Sequence, residues 1–312
     1  MYYPYFRGKQ FELITIREIA QLLSGSGFVP IIEPVKAALL GVERTLKAIC
    51  EANGRAIVII NPDYGDHTHK GEDISFLLRD GFIDKPNIIA GILLNEQASV
   101  EQAIVYYEQH KAHEPVFIHS GFMQHKELVE KLGEDITKST HIFFEKYCGR
   151  LYRKHFRGSA RILLRDGFQK RRNADHPDLE KFSDLHVTFQ EDGMDGFGDF
   201  LIVGDDYSES GGPAYAVAIH LTFIDDTKDD EMFIRHFIST TIDTPTDPAG
   251  KFGQALQKLI DTLDSGNSKI FESKAITEFR VLHAKQHFPG LGYVKKLSMK
   301  HHIETLANYF SE

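Results

Sequence analysis

The chain has 312 residues, of which 42% are hydrophobic and 26% charged, a balance that excludes global disorder and leaves material for a large core. Its formal net charge of -9 argues against indiscriminate attachment to nucleic acid or to an anionic membrane surface. The two cysteines, Cys50 and Cys148, supply neither a disulfide framework nor a zinc cluster and read as core thiols.

No apolar run approaches the roughly 20 residues that span a bilayer. The opening Met1-Tyr2-Tyr3-Pro4, with Arg7 and Lys9 close behind, lacks the apolar region of a signal peptide. The expectation is a cytoplasmic protein without a membrane partner.

Residues 1–27 read as an N-terminal arm and helix. From residue 28, short β-rich runs alternate with stretches of helical periodicity, the pattern of βα units with parallel strands. The strands predicted are 28–34, 56–60, 88–94, 116–119, 141–145 and 161–164. Leu39, Val42, Leu46 and Ile49 carry the first helix, over 37–51, and later helices fall near 71–80, 98–110, 122–132 and 147–156. Ala56-Ile57-Val58-Ile59-Ile60 and Ile88 to Leu94 are apolar almost throughout, as interior parallel strands covered on both faces must be.

After residue 167 the rhythm changes. A polar segment runs to about Ser183, and β-like runs at 185–189, 200–203 and 215–223 are separated by glycines that suggest closure of the sheet by hairpins. Helical periodicity returns near 251–263, 274–283 and 298–309. The fold class predicted is α/β, a TIM-barrel-like (βα)n arrangement in a single domain. Its core spans 28–223, with an irregular glycine-rich closing region and C-terminal helices over 248–312.

Parallel strands send their C-terminal ends to one face, where barrel proteins place reactive groups. Those ends carry Glu33, Asn61 and Asp63, Asn95, His119, Glu145, and Arg165 with Asp166. Unpartnered buried carboxylates are costly, so such a set points to a wet cleft. Glu33, His119, Glu145 and Asp166 are the catalytic candidates. The alternative is that polar residues end strands because loops begin there, with Glu33 and Glu145 pairing with Arg165 or Lys146.

In the loop after the second predicted strand, Asp63, Asp66, His67 and His69 are oxygen and nitrogen donors suited to a divalent metal, the one cofactor the sequence suggests. Their spacing matches no specific metal motif, and a solvated polar turn is the better explanation. Between Arg150 and Arg172 the charge inverts. Arg150, Arg153, Lys154, Arg157, Arg161, Arg165, Lys170, Arg171 and Arg172 face one acid, Asp166. On a helix over 147–157 the first four form a basic ridge suited to phosphate. A solvated helix face, or pairing with Asp225, Asp226, Asp229, Asp230 and Glu231, is the competing explanation.

Asp184, His186, Asp199, Asp205, Asp206 and His220 offer further acid-base groups, although Asp205 and Asp206 read as turn caps. No serine nucleophile elbow, phosphate-cradling loop or dinucleotide fingerprint is present.

Three segments carry a resemblance: the opening Met1 to Leu13, the run Pro30-Ile31-Ile32-Glu33-Pro34, and Gly196-Phe197-Gly198-Asp199-Phe200 leading to Gly211-Gly212-Pro213-Ala214-Tyr215-Ala216. Along its whole length the chain resembles an uncharacterised bacterial family known by an "sce" locus-tag name, itself similar in layout to the phage-type beta-protein family. The resemblance implies a mobile-element setting beside a companion protein of nuclease-like character, with anti-phage defence as the role. It carries over no catalytic residue but draws attention to Glu33 and Asp199.

Three functions follow as expectations. The first is a protein that acts on or senses a phosphate-containing ligand, nucleotide or nucleic acid, as a hydrolase using Glu33, His119, Glu145, Asp166 and Asp199. The second is a non-catalytic scaffold docking on the nuclease-like companion, and the third a small-molecule TIM-barrel enzyme.

Overall fold

The computed structural model describes residues 1–68, 71–209 and 212–311. The chain divides into two compact units, Met1–Arg165 with Thr188–Asp199 and Asp166–Val187 with Phe200–Glu312.

The first unit is a closed barrel of eight parallel strands, the TIM-barrel-like α/β architecture that the alternation predicts. In chain order these are β1 (Tyr2–Phe6), β2 (Ile31–Ile32), β3 (Ala56–Ile59), β4 (Ile88–Asn95), β5 (Val116–Ser120), β6 (Thr140–Phe144) and β7 (Ala160–Leu164). After β8 (Leu179–Ser183), which belongs to the second unit, β9 (Gly196–Asp199) completes the barrel by pairing with both β7 and β1. Helices Leu40–Glu51, Glu72–Gly81, Val100–Gln109 and His125–Leu132 follow β2 to β5 as the crossovers that parallel pairing requires.

Cross-strand partners share a face, so the register fixes what fills the barrel. Tyr5, Ile31, Ile57 and Ile89 are successive partners, as are Ile118 and Ile142 and Ile162 and Gly196. The Tyr5 ring meets Phe144 of the non-adjacent β6 at 5.5 Å, which places both inside. The alternate residues face the helices: Phe117 stacks on Tyr107 at 5.7 Å. Each fully buried aliphatic side chain in these layers contributes about 1.5–3 kcal/mol.

Three differences from the expected organisation have physical causes. Residues 1–27 hold helices, Gln10–Glu18 and Ala20–Gly25, but the expected arm is a barrel strand, because Tyr2–Phe6 forms β1 and the run at 28–34 supplies the second strand. The barrel closes by a parallel strand, without hairpins. β9 is glycine-rich because its inward positions are crowded, and a Cβ on Gly198 would overlap the Tyr3 carbonyl and the Leu164 side chain. Parallel closure leaves no unpaired edge. Finally, the single domain expected over 1–312 is two units, since 166–187 leaves the barrel and β8 pairs with β11 (Glu231–Ile238).

The second unit holds an antiparallel sheet in the order β10-β11-β8, with β10 at Ala218–Asp225. The run predicted at 185–189 is a short helix, Leu185–Thr188, and only the last of the predicted late strands, 215–223, forms a strand, as β10. Ile219, Leu221 and Phe223 alternate along β10 into a cluster with Phe252, Leu256, Leu259, Phe279 and Leu297. Those last residues belong to helices Pro248–Asp264, Lys274–Ala284 and Leu291–Tyr309, as the periodicity predicts. The first begins with Pro248 and the Asp247 carboxylate accepting from the Gly250 amide, and the second with the Ser273 hydroxyl accepting from the Ile276 amide. No helix of the described residues is long and apolar enough to cross a membrane.

Candidate functional site

The C-terminal mouth of the barrel gathers polar side chains around Arg7 and Glu33. β1 ends at Phe6 and β2 at Ile32, so these two residues leave neighbouring strands side by side. Glu33 is fully buried. One of its oxygens accepts from Arg7 Nη1 and, at 2.8 Å, from the Tyr5 hydroxyl. The other accepts from the Asp63 amide at 2.9 Å. The Arg7 guanidinium lies 5.0 Å from the Tyr5 ring centre and 4.8 Å from that of Tyr64. Asp63 in turn accepts from the Asn95 amide group at 2.7 Å. Gly65, at φ +82°, makes the loop after β3 possible, because any Cβ there would overlap the Val35 backbone.

This end of a parallel barrel also receives the N-termini of the helices, whose positive dipole ends favour anions. A cavity of about 450 Å³ opens at the opposite end, with Tyr3, Arg55, Tyr107, Lys111, Glu114 and Lys138 among its lining residues. Helix C-termini point that way, and its cations pair with Glu114, Glu108 and Asp135.

Each of the five expected catalytic residues bonds to other groups of the protein. Glu33 serves Arg7, Tyr5 and the 61–68 loop. His119 is buried on the outer face of β5, two residues from the outward Phe117. Its Nδ1 accepts from the Tyr152 hydroxyl at 2.8 Å, and its Nε2 bonds to His141 Nδ1 at 3.0 Å. Burial holds the His119 imidazole well below its ordinary pKa, and the neighbouring His141 and His125 add to this. Glu145 is clamped by Arg165 through bonds of 2.6 and 2.9 Å, the pairing anticipated for it. Asp199 lies beside β1 and accepts from the Tyr2 hydroxyl at 2.8 Å. Burial and then the Asp199 charge push the Tyr2 pKa well above its usual value. Asp166 belongs to the second unit, where it caps the amides of Phe168 and Asp205.

The basic ridge also comes apart. The helix is only Arg150–Arg153, followed by a 3-10 turn at Lys154–Phe156, too short to carry a four-residue stripe. Arg153 is 5% exposed and faces inward. Arg150 pairs with Asp192, Lys170 with Asp206, Arg171 with Glu180 and Arg172 with Asp175. Acids do neutralise much of the run, but not those first considered: Asp225 and Asp226 pair with Lys269, and Glu231 with Lys181. Lys154 and Arg157 remain exposed.

The loop proposed for a metal is held by hydrogen bonds to backbone and to Asn95. Asp66 accepts from the Ala37 amide at 2.8 Å, His67 Nε2 donates to the Lys36 carbonyl at 3.1 Å, and Asp63 is committed as described. His69 lies outside the described residues.

Arg7, Tyr5 and Tyr64 are the members of the mouth that sequence reasoning passed over. Reading Tyr2–Phe6 as a strand would have placed Arg7 at a strand end with the others. No family model, no curated protein and no solved structure matches this chain.

Proposed function

We propose that the barrel unit binds a small phosphate-bearing ligand, a nucleotide foremost, at its C-terminal mouth, with Arg7 as the anchoring cation. The observation that carries this reading is the Arg7 guanidinium set over the Tyr5 and Tyr64 rings, at 5.0 and 4.8 Å from their centres, and fixed by Glu33. A guanidinium offers five N–H donors in one plane, a geometry matched to phosphate oxygens, and the aromatic faces set that plane. Binding is favoured over hydrolysis because Glu33, His119, Glu145, Asp166 and Asp199 each serve another partner. The resemblance supplies the setting, a mobile-element anti-phage defence system with a nuclease-like companion.

Calorimetric titration with nucleoside triphosphates, inorganic phosphate and a short oligonucleotide tests the reading. Arg7→Lys keeps the charge but loses the planar fork, and should weaken nucleotide binding by about tenfold, roughly 1.4 kcal/mol. Lys154→Glu with Arg157→Glu should leave it unchanged. Equal binding by Arg7→Lys, or no nucleotide binding by the wild type, rejects the mouth as the site. Loss of salt-dependent oligonucleotide binding in the charge-reversed variant returns the site to 150–172.

A second reading, a scaffold docking on the companion, is supported by Met123 and Leu151, which are 76% and 75% exposed. They lie on neighbouring segments after β5 and β6, joined by the His125 and Tyr152 rings at 4.6 Å. Exposed apolar side chains so placed suit a protein contact. Co-purification of the companion with wild type, and its loss from Met123→Lys with Leu151→Glu, would support this reading.

A further inference from the structure

We infer that His176, Glu180 and His236 of the second unit form a binding site for a divalent first-row transition-metal ion. The antiparallel register builds it: His220 pairs with His236 across β10 and β11, and Glu180 of β8 pairs with Ile234 two residues away. His176, just before β8, stacks on His236 with ring centres 4.4 Å apart. Among the described residues this is the only group of three or more histidine, cysteine or carboxylate side chains whose ligand atoms all lie within 4.8 Å of one another.

Glu180 Oε1 is 3.0 Å from His236 Nε2 and 3.7 Å from His176 Nδ1. Ligand atoms about 2.1 Å from a tetrahedral ion stand about 3.4 Å apart, so these separations bracket what an ion requires. Two imidazoles and one carboxylate suit zinc, iron(II) or cobalt(II), and leave a coordination position open for water or a ligand oxygen. His176 and His236 are buried.

His220 supplies the outer support that metal-bound histidines generally have. Its Nδ1 faces His236 Nδ1 at 2.6 Å, so one of the two must carry the proton. With His236 Nε2 on the ion, His236 Nδ1 donates and His220 Nδ1 accepts, which fixes the ring and raises its basicity. Arg171 stands as the competitor. Its guanidinium makes two bonds to Glu180, of 2.6 and 3.0 Å, and lies 3.5 Å from His176 Nδ1, so a cation already faces the carboxylate. An arriving ion must displace it, and its partial exposure allows that.

The test is titration of the chelator-treated full chain with Zn2+ by calorimetry and with Co2+ by visible absorption. One equivalent should bind, with the Co2+ spectrum of a low-coordinate nitrogen and oxygen site. Glu180→Gln and His236→Ala should each weaken binding at least about tenfold, about 1.4 kcal/mol. Circular dichroism checks that each variant is folded, and His176→Gln, which leaves the Glu180–His236 contact in place, is the milder companion. Arg171→Gln should tighten binding. Absence of a stoichiometric Zn2+ or Co2+ complex in the wild type, or binding unchanged in folded His176→Gln and Glu180→Gln, overturns the assignment.

Discussion

Two buried histidine groups, one in each unit, look alike in composition and differ in chemistry. In the barrel, His141 Nε2 donates to the Ile136 carbonyl at 3.0 Å, its Nδ1 accepts from His119 Nε2, and His119 Nδ1 accepts from Tyr152. The chain of donors ends on a backbone oxygen, every ring nitrogen is used once, and Phe117, Phe143 and Phe156 pack the rings. In the second unit the ring nitrogens of His176 and His236 converge on a carboxylate oxygen that Arg171 also claims. Burial and histidine count therefore do not mark a site. What matters is whether the lone pairs end on the protein's own donors or meet at a common point.

The largest effect expected is from His141→Ala, which opens a cavity and leaves the His119 Nε2–H without its acceptor. Loss of about 4 kcal/mol should appear in urea denaturation, and addition of Zn2+ should not restore it. By contrast His236→Ala, which takes a partner from His220 but leaves Glu180 its Arg171, should cost less, about 2–3 kcal/mol without metal. Equal losses would erase the distinction between the two groups.

Acid gives the next effect. Burial lowers the His141 pKa from 6.5 to about 4 in the folded state. Between those values the unfolded chain binds a proton that the folded barrel refuses. Stability from this residue is therefore complete above pH 6.5 and falls as pH drops toward 4, by about 3 kcal/mol in all. His119 shifts in the same direction. Denaturation midpoints measured from pH 7 to 4.5 should decline steadily for wild type and less steeply for His141→Phe, which keeps the ring shape without the titrating nitrogen.

How far the sequence discloses this follows from the same particulars. β2 to β7 are legible because their apolar runs are buried on both faces. β1 is hidden by Pro4 and its position at the terminus, β9 by Gly196 and Gly198, and β8 by the charges in Leu179-Glu180-Lys181-Phe182-Ser183. Strand ends point to Glu33, Asp63 and Asn95, which lie at the mouth, but Arg7 cannot be seen without β1. His119 misleads because it sits at a strand end yet shares the outward parity of Phe117, and a one-residue change of parity separates lumen from helix layer. The 176–180–236 group is invisible to spacing, since an antiparallel pairing brings together residues far apart in the chain.

Arg171 and Arg172 are neighbours in sequence, and each holds a carboxylate with two nitrogens, Glu180 and Asp175 respectively. Both guanidiniums are raised in pKa, first by those hydrogen bonds. Only Glu180 is shared with histidine nitrogens. Arg172→Gln should therefore shift neither the urea midpoint nor the Zn2+ affinity measurably, because an exposed ion pair holds little stability. Arg171→Gln should likewise leave the midpoint nearly unchanged without metal but tighten Zn2+ binding. If both substitutions tighten it alike, the gain comes from removing positive charge nearby, and the convergence of His176 and His236 on Glu180 is not what selects the ion.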